Sequence, residues 1–401
     1  MLKPKTPSTS QFTKLAQQYN ENLFQDVIPF WLKHSPDRKY GGYFTCLDRE
    51  GEVYDTDKFV WLQARQVWTF SVLYSQVETR PDWLEMARLG AEFLRQKGRD
   101  SEGNWYFALD RQGHPLVQPY NIFSDCFAAI GFAAFARAAQ DEEAAKIAVE
   151  TYQNILRRRA QPKGRFDKTV PARRPLKSLA LPMILCNVVQ ELSPFLPAGE
   201  ADSQSSATIR ELMEIFLDPQ LGLVFESRGL EGEKVDSFDG RLINPGHGIE
   251  AMWFVIDAAA RLGEEAWINL AVDAILTTLD FAWDPDFGGV FYFLDVDGHP
   301  PLQLEWNQKL WWVHLETLVA LTMAFKCTRR KECWDWFEKV HRYTWKTFPD
   351  AEFGEWYGYA DRRGEILLPL KGGKWKGCFH LPRALLLCSR MFGELAESGP
   401  A

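Results

Sequence analysis

Apolar residues recur along most of the chain with the three-to-four-residue spacing of amphipathic helices, and these stretches come in pairs. Between the pairs lie short segments that alternate aromatic and polar residues around glycine, a pattern typical of β-hairpins. The stretches with helical spacing are 10–33, 59–74, 83–96, 123–138, 142–158, 176–192, 205–216, 249–262, 265–281, 310–325, 333–345 and 378–392. The pattern therefore predicts twelve helices separated by short hairpins.

The hairpin segments form an internal repeat. The first copy, residues 37–51, contains Tyr-Gly-Gly-Tyr-Phe followed by Leu-Asp-Arg-Glu-Gly, and altered copies return along the chain. Their leading glycines stand at positions 41, 103, 164, 222, 288 and 354, about sixty residues apart. Because a single helical hairpin cannot bury its apolar face, repeated units of this kind must pack on one another.

Six such units predict an all-α fold, an (α/α)6 toroid in which short β-hairpins link the helix pairs. An open solenoid is the alternative, but it needs polar capping repeats that the sequence lacks. The first and last helices should pair across the termini. We predict one domain over residues 1–401, with residues 1–9 and 396–401 flexible. The helix after each hairpin should be the inner one, and its first turn should face the mouth of a central cavity.

Composition narrows the class of protein. Of 401 residues, 46% are hydrophobic and 25% are charged, which excludes global disorder. No apolar run approaches the roughly 20 residues of a membrane helix, and no secretory signal is recognisable, so we expect no membrane partner. The net charge of −8 without a basic block argues against nucleic acid. Seven cysteines without a CxxC pair favour reduced thiols and a cytoplasmic location.

Sixteen tryptophans are an unusual number, and such rings either fill a core or line a pocket that stacks on sugar faces. The first inner helix places Trp61, Arg65 and Trp68 on one face. An arginine between two tryptophans is either a structural cation–π contact or a cation aimed at a sugar oxygen. Since burying an unpaired arginine for packing is costly, the functional interpretation is favoured.

Three further polar residues are candidates for substrate binding. Tyr120 precedes the second inner helix and is expected to face the cavity. Asn187 is an amide within an apolar helical run, so it needs a partner, either a ligand or a neighbouring backbone group. Arg241 belongs to the segment that leads into the fourth inner helix.

Two histidines occupy equivalent places in the repeat. His247 begins the fourth inner helix after Pro-Gly, and Glu250 follows one turn later, where it can orient the ring. A helix N-terminus lowers the pKa of an imidazole towards the neutral form that a base needs. His380 begins the sixth inner helix in the same way. Together they are predicted to face one substrate from two sides.

The fifth inner helix carries Trp312 and Glu316 on one face, so the carboxylate is expected to project into the cavity beside an aromatic wall. His314 lies on another face and is a weaker candidate for a supporting role. Trp375, just before the sixth inner helix, is expected at the mouth. No cluster of His, Asp or Glu shows metal-ligand spacing, so the chemistry is predicted to need neither a metal nor a redox cofactor.

Five segments in order resemble the N-acylglucosamine 2-epimerase family, and most closely its cyanobacterial-type bacterial members, over nearly the whole chain. They are Trp-Leu-Gln-Ala-Arg-Gln from 61, Arg-Pro-Leu-Lys-Ser-Leu-Ala-Leu-Pro-Met from 174, Asn-Pro-Gly-His-Gly-Ile-Glu from 244, Lys-Leu-Trp-Trp-Val-His-Leu-Glu from 309 and Lys-Trp-Lys-Gly-Cys-Phe-His-Leu-Pro-Arg from 374. The resemblance implies an (α/α)6 barrel, usually a homodimer, that interconverts N-acetyl-D-glucosamine and N-acetyl-D-mannosamine, a precursor of sialic acid. By motif, the family's catalytic residues fall on His247, His380, Arg65 and Glu316.

The resemblance also implies an effector. Family members of this type are often activated by ATP that they do not consume, through a basic loop that corresponds here to Lys163, Arg165 and Lys168. This loop is not a Walker motif, because it lacks GxxxxGK[ST].

Related cellobiose 2-epimerases and aldose–ketose isomerases carry a histidine four residues after the equivalent of Asn187, where this chain has Glu191. That difference, with the segment Pro-Gly-His-Gly-Ile-Glu, favours an acylamino sugar.

Inversion at C2 needs the open-chain aldehyde, because only a carbonyl at C1 makes the C2 proton acidic. His247 and His380 suit the acid and base, Arg65 suits stabilisation of the oxygen at C1, and Glu316 and Glu250 suit orientation of a histidine or of sugar hydroxyls. Alternatives are an aldose–ketose isomerase or a cellobiose 2-epimerase using the same site, an inverting glycosidase with two catalytic carboxylates, and a non-catalytic sugar- or protein-binding member.

Overall fold

The computed structural model describes residues 7–167, 170 and 173–398. Within them the chain forms two concentric sets of six helices, the even-numbered ones inside and the odd-numbered ones outside. The helices are α1 (Thr9–Glu21, continued by a π-helical turn Asn22–Val27 and by Ile28–His34), α2 (Val60–Gln76), α3 (Pro81–Lys97), α4 (Ile122–Ala139), α5 (Glu142–Arg158), α6 (Ala180–Leu192), α7 (Glu200–Glu211, continued by π-helical Leu212–Phe216), α8 (Pro245–Leu262), α9 (Glu265–Ala282), α10 (Trp311–Thr328), α11 (Lys331–Thr347) and α12 (His380–Ser398).

The distribution of apolar residues in each helix explains whether it lies in the inner or the outer ring. In α4 and α10 nearly every residue is buried, because both sides and the inner face touch other elements. In α5 and α11 the apolar residues occupy one face and the charged residues the other, as a helix on the outside of a ring requires. By length and composition α4 is the one described helix that could cross a membrane, but it is mostly buried inside the ring, as core helices are.

The ring closes where its two ends meet, which confirms the predicted toroid. Helix α1 packs along α12, and the rings of Phe12 and Phe392 stack with their centroids 6.3 Å apart. On the inner side, the ring of Phe379 lies 5.2 Å from that of Trp68 on α2. The Thr69 hydroxyl donates a hydrogen bond to the carbonyl of Cys378 over 2.8 Å.

The described ends of the chain form helix ends. Ser8 caps α1 by accepting a hydrogen bond from the N–H of Gln11, and α12 continues through Ser398. The Ser398 hydroxyl accepts a hydrogen bond from Arg329 over 3.2 Å. Flexibility of residues 1–9 and 396–401 stays a prediction.

The predicted hairpins are present, but their strands are very short. The described strands are β1 (Lys58–Phe59), β2 (Ala108–Leu109), β3 (Pro115–Val117), β4 (Lys177–Ser178), β5 (Ser227–Arg228), β6 (Leu242–Ile243), β7 (Leu294–Asp295), β8 (Lys309–Leu310), β9 (Tyr359–Ala360) and β10 (Ile366–Leu368). All their pairings are antiparallel, in the orders β1-β2-β3, β8-β9-β10, β4-β5 and β6-β7. Four strands that enter inner helices (β1, β4, β6 and β8) thus each pair with the hairpin of the next unit, which fixes the mouth of the ring.

Three of the segments that lead into inner helices are held by the same kind of buried ion pair. The ammonium of Lys58 donates to Asp37 over 3.0 Å and to the Gly41 carbonyl, and Asp37 also accepts from Arg111 over 2.9 Å. The same arrangement recurs with Lys309, Asp284 and Arg362, and with Lys371, Asp350 and Arg49. A buried charge that is fully bonded holds its segment in one place, so these triads support the loops that precede α2, α10 and α12.

Candidate active site

The first turns of the inner helices and the loops between them surround a cavity of about 500 Å³. Aromatic side chains and polar groups contribute to its wall in nearly equal numbers, eight and seven of eighteen residues, a mixture that suits a small ligand with both polar and apolar faces. The lining residues are Trp61, Arg65, Asn121, Phe123, Phe127, Met183, Ile184, His247, Glu250, Tyr292, Glu305, Gln308, Leu310, Trp311, Trp312, Tyr359, Trp375 and His380. Seven of the residues proposed from sequence therefore meet in this cavity.

His380 is the first residue of α12 and is almost fully buried. Its Nδ1 lies 2.7 Å from Oε1 of Glu316. Because a carboxylate only accepts hydrogen bonds, Nδ1 carries the hydrogen and Nε2 is left as the basic atom. Burial, together with the positive charges of Arg65 and Arg383, holds the pKa of His380 well below its usual value. This histidine is therefore neutral near pH 7 and suited to accept a proton.

His247 lies in the first turn of α8, where Asn244 caps the helix by accepting from the His247 N–H over 3.1 Å. Its Nδ1 lies 2.8 Å from Oε1 of Glu226, a residue that sequence analysis did not propose. Burial lowers the pKa of His247, but the adjacent Glu226 carboxylate outweighs it, and the net shift is upward. The prediction of a pKa lowered by the helix N-terminus was wrong, because a nearby full charge outweighs a helix dipole.

Glu316 and Glu250 form a buried network with Arg383 rather than the predicted contacts. One guanidinium nitrogen of Arg383 donates to Oε1 of Glu250 over 2.7 Å and to Oε1 of Glu316 over 2.8 Å. Oε2 of Glu316 accepts from the indole of Trp253 over 2.9 Å. Glu316 is wholly buried and lies outside the cavity lining, so it supports His380 instead of projecting into the cavity. Glu250 does line the cavity, but its partner is Arg383 and not His247.

The same network bears on metal binding. Ligand atoms of Glu250, Glu316 and His380 lie within 4.8 Å of one another, a spacing that could hold a metal ion and that sequence analysis did not find. However, the Arg383 guanidinium already donates to both carboxylates. A resident side-chain cation thus supplies the positive charge that a metal would bring, and the arrangement fits an ion-pair network better than a metal centre.

Arg65 is the one cavity residue that combines a permanent positive charge with aromatic surroundings. Its guanidinium carbon lies 3.9 Å from the ring centroid of Phe127, 4.3 Å from that of Trp61 and 4.8 Å from that of Phe379. In the described part of the chain no carboxylate forms an ion pair with it, and its buried Nε has no partner. Burial lowers the pKa of Arg65. An unpaired cation at the cavity wall is suited to stabilise a developing oxyanion.

Three proposed binding residues lie away from the cavity. Tyr120 packs against the ring of Phe107 at 5.1 Å. Arg241 donates to Asp295 over 2.9 Å, so its charge is already matched. Asn187 stands about two turns into α6, beyond the end of that helix that faces the cavity. None of the three is among the lining residues, and their contact with the ligand stays a prediction.

Position 191, where related enzymes carry a histidine, lies at the end of α6 that is remote from the cavity lining. Glu191 accepts a hydrogen bond from the Trp68 indole over 2.8 Å and binds Arg137, at the far end of α6. The residues that α6 presents to the cavity are instead Met183 and Ile184. Glu191 therefore carries no argument about the substrate, whereas the apolar pair does.

The expected effector loop is only partly described. Lys163 is exposed in the turn after α5. The side chain of Arg165 and all of Lys168 lie outside the described residues. Activation by ATP through this loop stays a prediction.

Several residues of the site were missed from sequence. Arg383 lies one turn after His380, and this spacing was a usable signal. Glu226 belongs to a weakly conforming copy of the hairpin repeat, and nothing local marks it as a partner of His247. The other missed cavity residues include Tyr292, Glu305 and Gln308, which lie in loops whose paths only the fold determines.

A closed ring of helix pairs, with two carboxylate-bonded histidines and an unpaired arginine in its cavity, defines an acid–base isomerase of the (α/α)6 class. The model of the N-acylglucosamine 2-epimerase (GlcNAc 2-epimerase) family matches residues 42–384. The chain belongs to the N-acylglucosamine 2-epimerase family.

Individual relatives agree with this assignment. The chain is 38% identical to N-acylglucosamine 2-epimerase from Bos taurus, over 92% of this chain and 89% of the relative. It is 37% identical to N-acylglucosamine 2-epimerase from Homo sapiens, over 94% of this chain and 91% of the relative. Among solved structures, cellobiose 2-epimerase from Bacillus thermoamylovorans superposes with a TM-score of 0.81 at 20% identity, covering 95% of this chain and 100% of that one. That likeness shows the fold.

Proposed function

We propose that this protein interconverts N-acetyl-D-glucosamine and N-acetyl-D-mannosamine by removing and returning the proton at C2 of the open-chain sugar. The observation that carries the proposal is the pair of cavity histidines, each bonded through Nδ1 to a carboxylate and each left with Nε2 for the ligand. The similar proteins that are named N-acylglucosamine 2-epimerases support this choice of substrate.

The proposed reaction begins when the neutral His380 takes the C2 proton, leaving an enolate with its negative charge on the oxygen at C1. Arg65 stabilises that charge because its guanidinium has no competing carboxylate among the described residues. Protonated His247 then donates a proton to the opposite face of C2. In the reverse direction the two histidines exchange roles. Each positioned acid or base of this kind contributes a rate factor of about 10² to 10⁴.

The shape of the cavity supports an acylamino substrate. The four side chains that α4 and α6 contribute to its wall are all apolar: Phe123, Phe127, Met183 and Ile184. An acetyl methyl group gains free energy by leaving water for such a surface, whereas a hydroxyl at the same place loses hydrogen bonds. This supports a 2-acetamido sugar over a sugar with a free hydroxyl at C2.

Solvent-exchange NMR tests the proposal. The protein is incubated with N-acetyl-D-mannosamine in D₂O, with and without ATP, and the C2 proton of both epimers is followed. We expect deuterium at C2 of both epimers. Absence of exchange under both conditions would overturn the proposal. Formation of a ketose would instead assign an aldose–ketose isomerase, and epimerisation of cellobiose in preference would assign a cellobiose 2-epimerase.

We propose further that ATP activates the enzyme without being consumed, that the protein is a cytoplasmic homodimer, and that its product supplies sialic acid synthesis. The resemblance described above supports the ATP effect, the homodimer and the link to sialic acid, and the seven cysteines without a CxxC pair support the cytoplasmic location. The first is checked by measuring ADP alongside epimerisation, and the second by light scattering of the purified protein.

A further inference from the structure

We infer that Glu226 is a positioning residue for His247, and that its carboxylate keeps this ring protonated while His380 stays neutral in the resting enzyme. The inference rests on the proposed function and adds to it the group that sets the charge of the acid. Glu226 does not line the cavity, so it acts through His247 rather than on the ligand.

The backbone around Glu226 is held on both sides. Its N–H donates to the carbonyl of Leu242 over 3.3 Å, and its carbonyl accepts from the N–H of Leu179 over 3.0 Å. The side chain is only 17% exposed. A carboxylate fixed in this way holds the imidazole in one orientation and in one tautomer, with Nδ1 protonated and Nε2 towards the cavity.

The two histidine–carboxylate pairs differ in what balances their charge. Glu316 shares its Oε1 between His380 and the guanidinium of Arg383. In contrast, no lysine or arginine of the described residues forms an ion pair with Glu226, whose bonded partner is His247. The negative charge of Glu226 therefore acts on the imidazole, whereas that of Glu316 is largely offset by a cation.

The other charged groups around His247 do not reverse this difference. Glu250 on the same helix adds negative charge, His380 lies across the cavity network from α12, and Glu305 and Tyr292 line the same cavity from the loops before α10. Burial opposes the charged form of His247, but the carboxylates of Glu226 and Glu250 together outweigh it, and the pKa of His247 is raised.

Around His380 the balance is the opposite. The guanidinium groups of Arg65 and Arg383 and the imidazole of His247 add to the effect of burial, and Glu250 only partly offsets them. The pKa of His380 is accordingly lowered. Between these two pKa values the pair holds one proton, which is the number that either direction of a two-base epimerisation requires.

This arrangement identifies which histidine causes the loss of kcat/KM at low pH, the acid limb of the pH profile, and which causes the loss at high pH, the alkaline limb. As pH falls, kcat/KM is lost when His380 takes up a proton. As pH rises, kcat/KM is lost when His247 releases one. Because the equilibrium between two uncharged sugars does not vary with pH, both directions must show the same two limbs, which checks the consistency of the rate data.

The variant Glu226→Gln tests the inference, since the amide oxygen can still accept from Nδ1–H while the charge is gone. We expect the alkaline limb of kcat/KM to move to lower pH by about one unit or more, the usual effect of losing one adjacent opposite charge. The acid limb should stay in place. Glu226→Asp should keep the alkaline limb closer to its original position. Glu214→Gln, which removes an exposed carboxylate on the π-helical end of α7, is the matched control and should change neither limb.

A reduced rate with an unmoved alkaline limb would make Glu226 merely structural and would overturn the inference. A second measurement does not depend on activity or on the variant folding well. In protein labelled with [¹³C]histidine, the ring of His247, assigned through His247→Asn, should titrate above pH 6.5 and His380 below it. A His247 that titrates below 6.5 would also overturn the inference. If the titration agrees but no sugar is epimerised, the proposed function fails and the role of Glu226 stands.

Discussion

Replacement of Glu316 by glutamine is the most informative single perturbation of this site. The carboxylate of Glu316 accepts three hydrogen bonds, two at Oε1 from His380 and Arg383 and one at Oε2 from Trp253. All three partners are donors. Because glutamine offers one acceptor atom and one donor group, its amide must place N–H hydrogens against at least one of them.

The structure sets the size of the expected effects. Two charge-assisted hydrogen bonds at Oε1 are affected, each worth about 1.5–3 kcal/mol. Arg383 keeps its bond to Glu250, so the loss of unfolding free energy should lie near the lower end, about 3 kcal/mol. In either orientation of the amide His380 loses the negative charge of its acceptor, and when the amide NH₂ takes the place of Oε1 it also loses the acceptor that fixes its tautomer, so kcat should fall by about 10²-fold or more.

Two assays separate these effects: initial rates of epimerisation, and urea unfolding followed by circular dichroism. Trp253→Phe is the matched control, since it removes only the donor to Oε2. It should cost about 1 kcal/mol of stability and leave kcat within about threefold of wild type. If Glu316→Gln lost stability but kept kcat within about threefold, the carboxylate would be structural and our account of His380 would be refuted.

Three further predictions concern other parts of the site and core. Arg65→Met should lower kcat by about 10²-fold or more without lowering the melting temperature, because it removes a buried cation with no ion pair; a clear loss of melting temperature would instead make Arg65 structural. His314, fully buried between the Leu310 carbonyl and a backbone N–H, has a pKa lowered by burial to about 3, so the unfolded chain takes up its proton first as pH falls below 6.5. Wild type should therefore lose about 2 kcal/mol more unfolding free energy between pH 7 and pH 5 than His314→Asn does, and equal losses in urea titrations would contradict this. Gly246→Ala would place a Cβ 2.7 Å from the Trp312 ring, so we expect a loss of about 1–3 kcal/mol and a lower kcat; unchanged unfolding and kinetics would show that the ring shifts freely.

The architecture was predictable from sequence because it rests on a repeat. Helix spacing and the recurring glycines each report on local structure, and together they require six similar units. Ring closure between α1 and α12 followed because neither helix had another neighbour in sequence. The helix bounds differed from the predicted ones by a few residues, for example at α8, which begins at Pro245 rather than 249.

The site was predictable only where the inner helices carry it in their first turn. His247, His380 and Arg65 were found in this way. The partners of the histidines were not. Glu226 lies 21 residues before His247, in the hairpin that precedes α8, where no helical spacing relates the two, and Arg383 of another unit draws Glu250 away from His247. Contacts between units depend on the packing of the ring, and helical spacing within one unit carries no information about them.

The same limit applies to Tyr120, Asn187 and Arg241, which are not among the cavity-lining residues. Each is polar and lies near a predicted inner helix, but polarity alone does not reveal a local partner. The Tyr120 ring packs on Phe107, Arg241 is paired with Asp295, and Asn187 is carried past the cavity by the rise of α6. The pKa shifts of the histidines could not be predicted either. The sequence indicates that each histidine begins a helix, but it does not reveal that Glu226 lies beside His247 or that Arg65 and Arg383 lie near His380.

The central claim is that two histidines act on opposite faces of C2, and hydrogen exchange by single-histidine variants tests it most directly. His247→Asn and His380→Asn, each checked for native circular dichroism, are incubated with each pure epimer in D₂O. We predict that neither variant interconverts the epimers, and that the residual exchange at C2 is confined to a different epimer in each variant. Interconversion at the wild-type rate by either variant, or exchange of the same epimer by both, would contradict the two-histidine account.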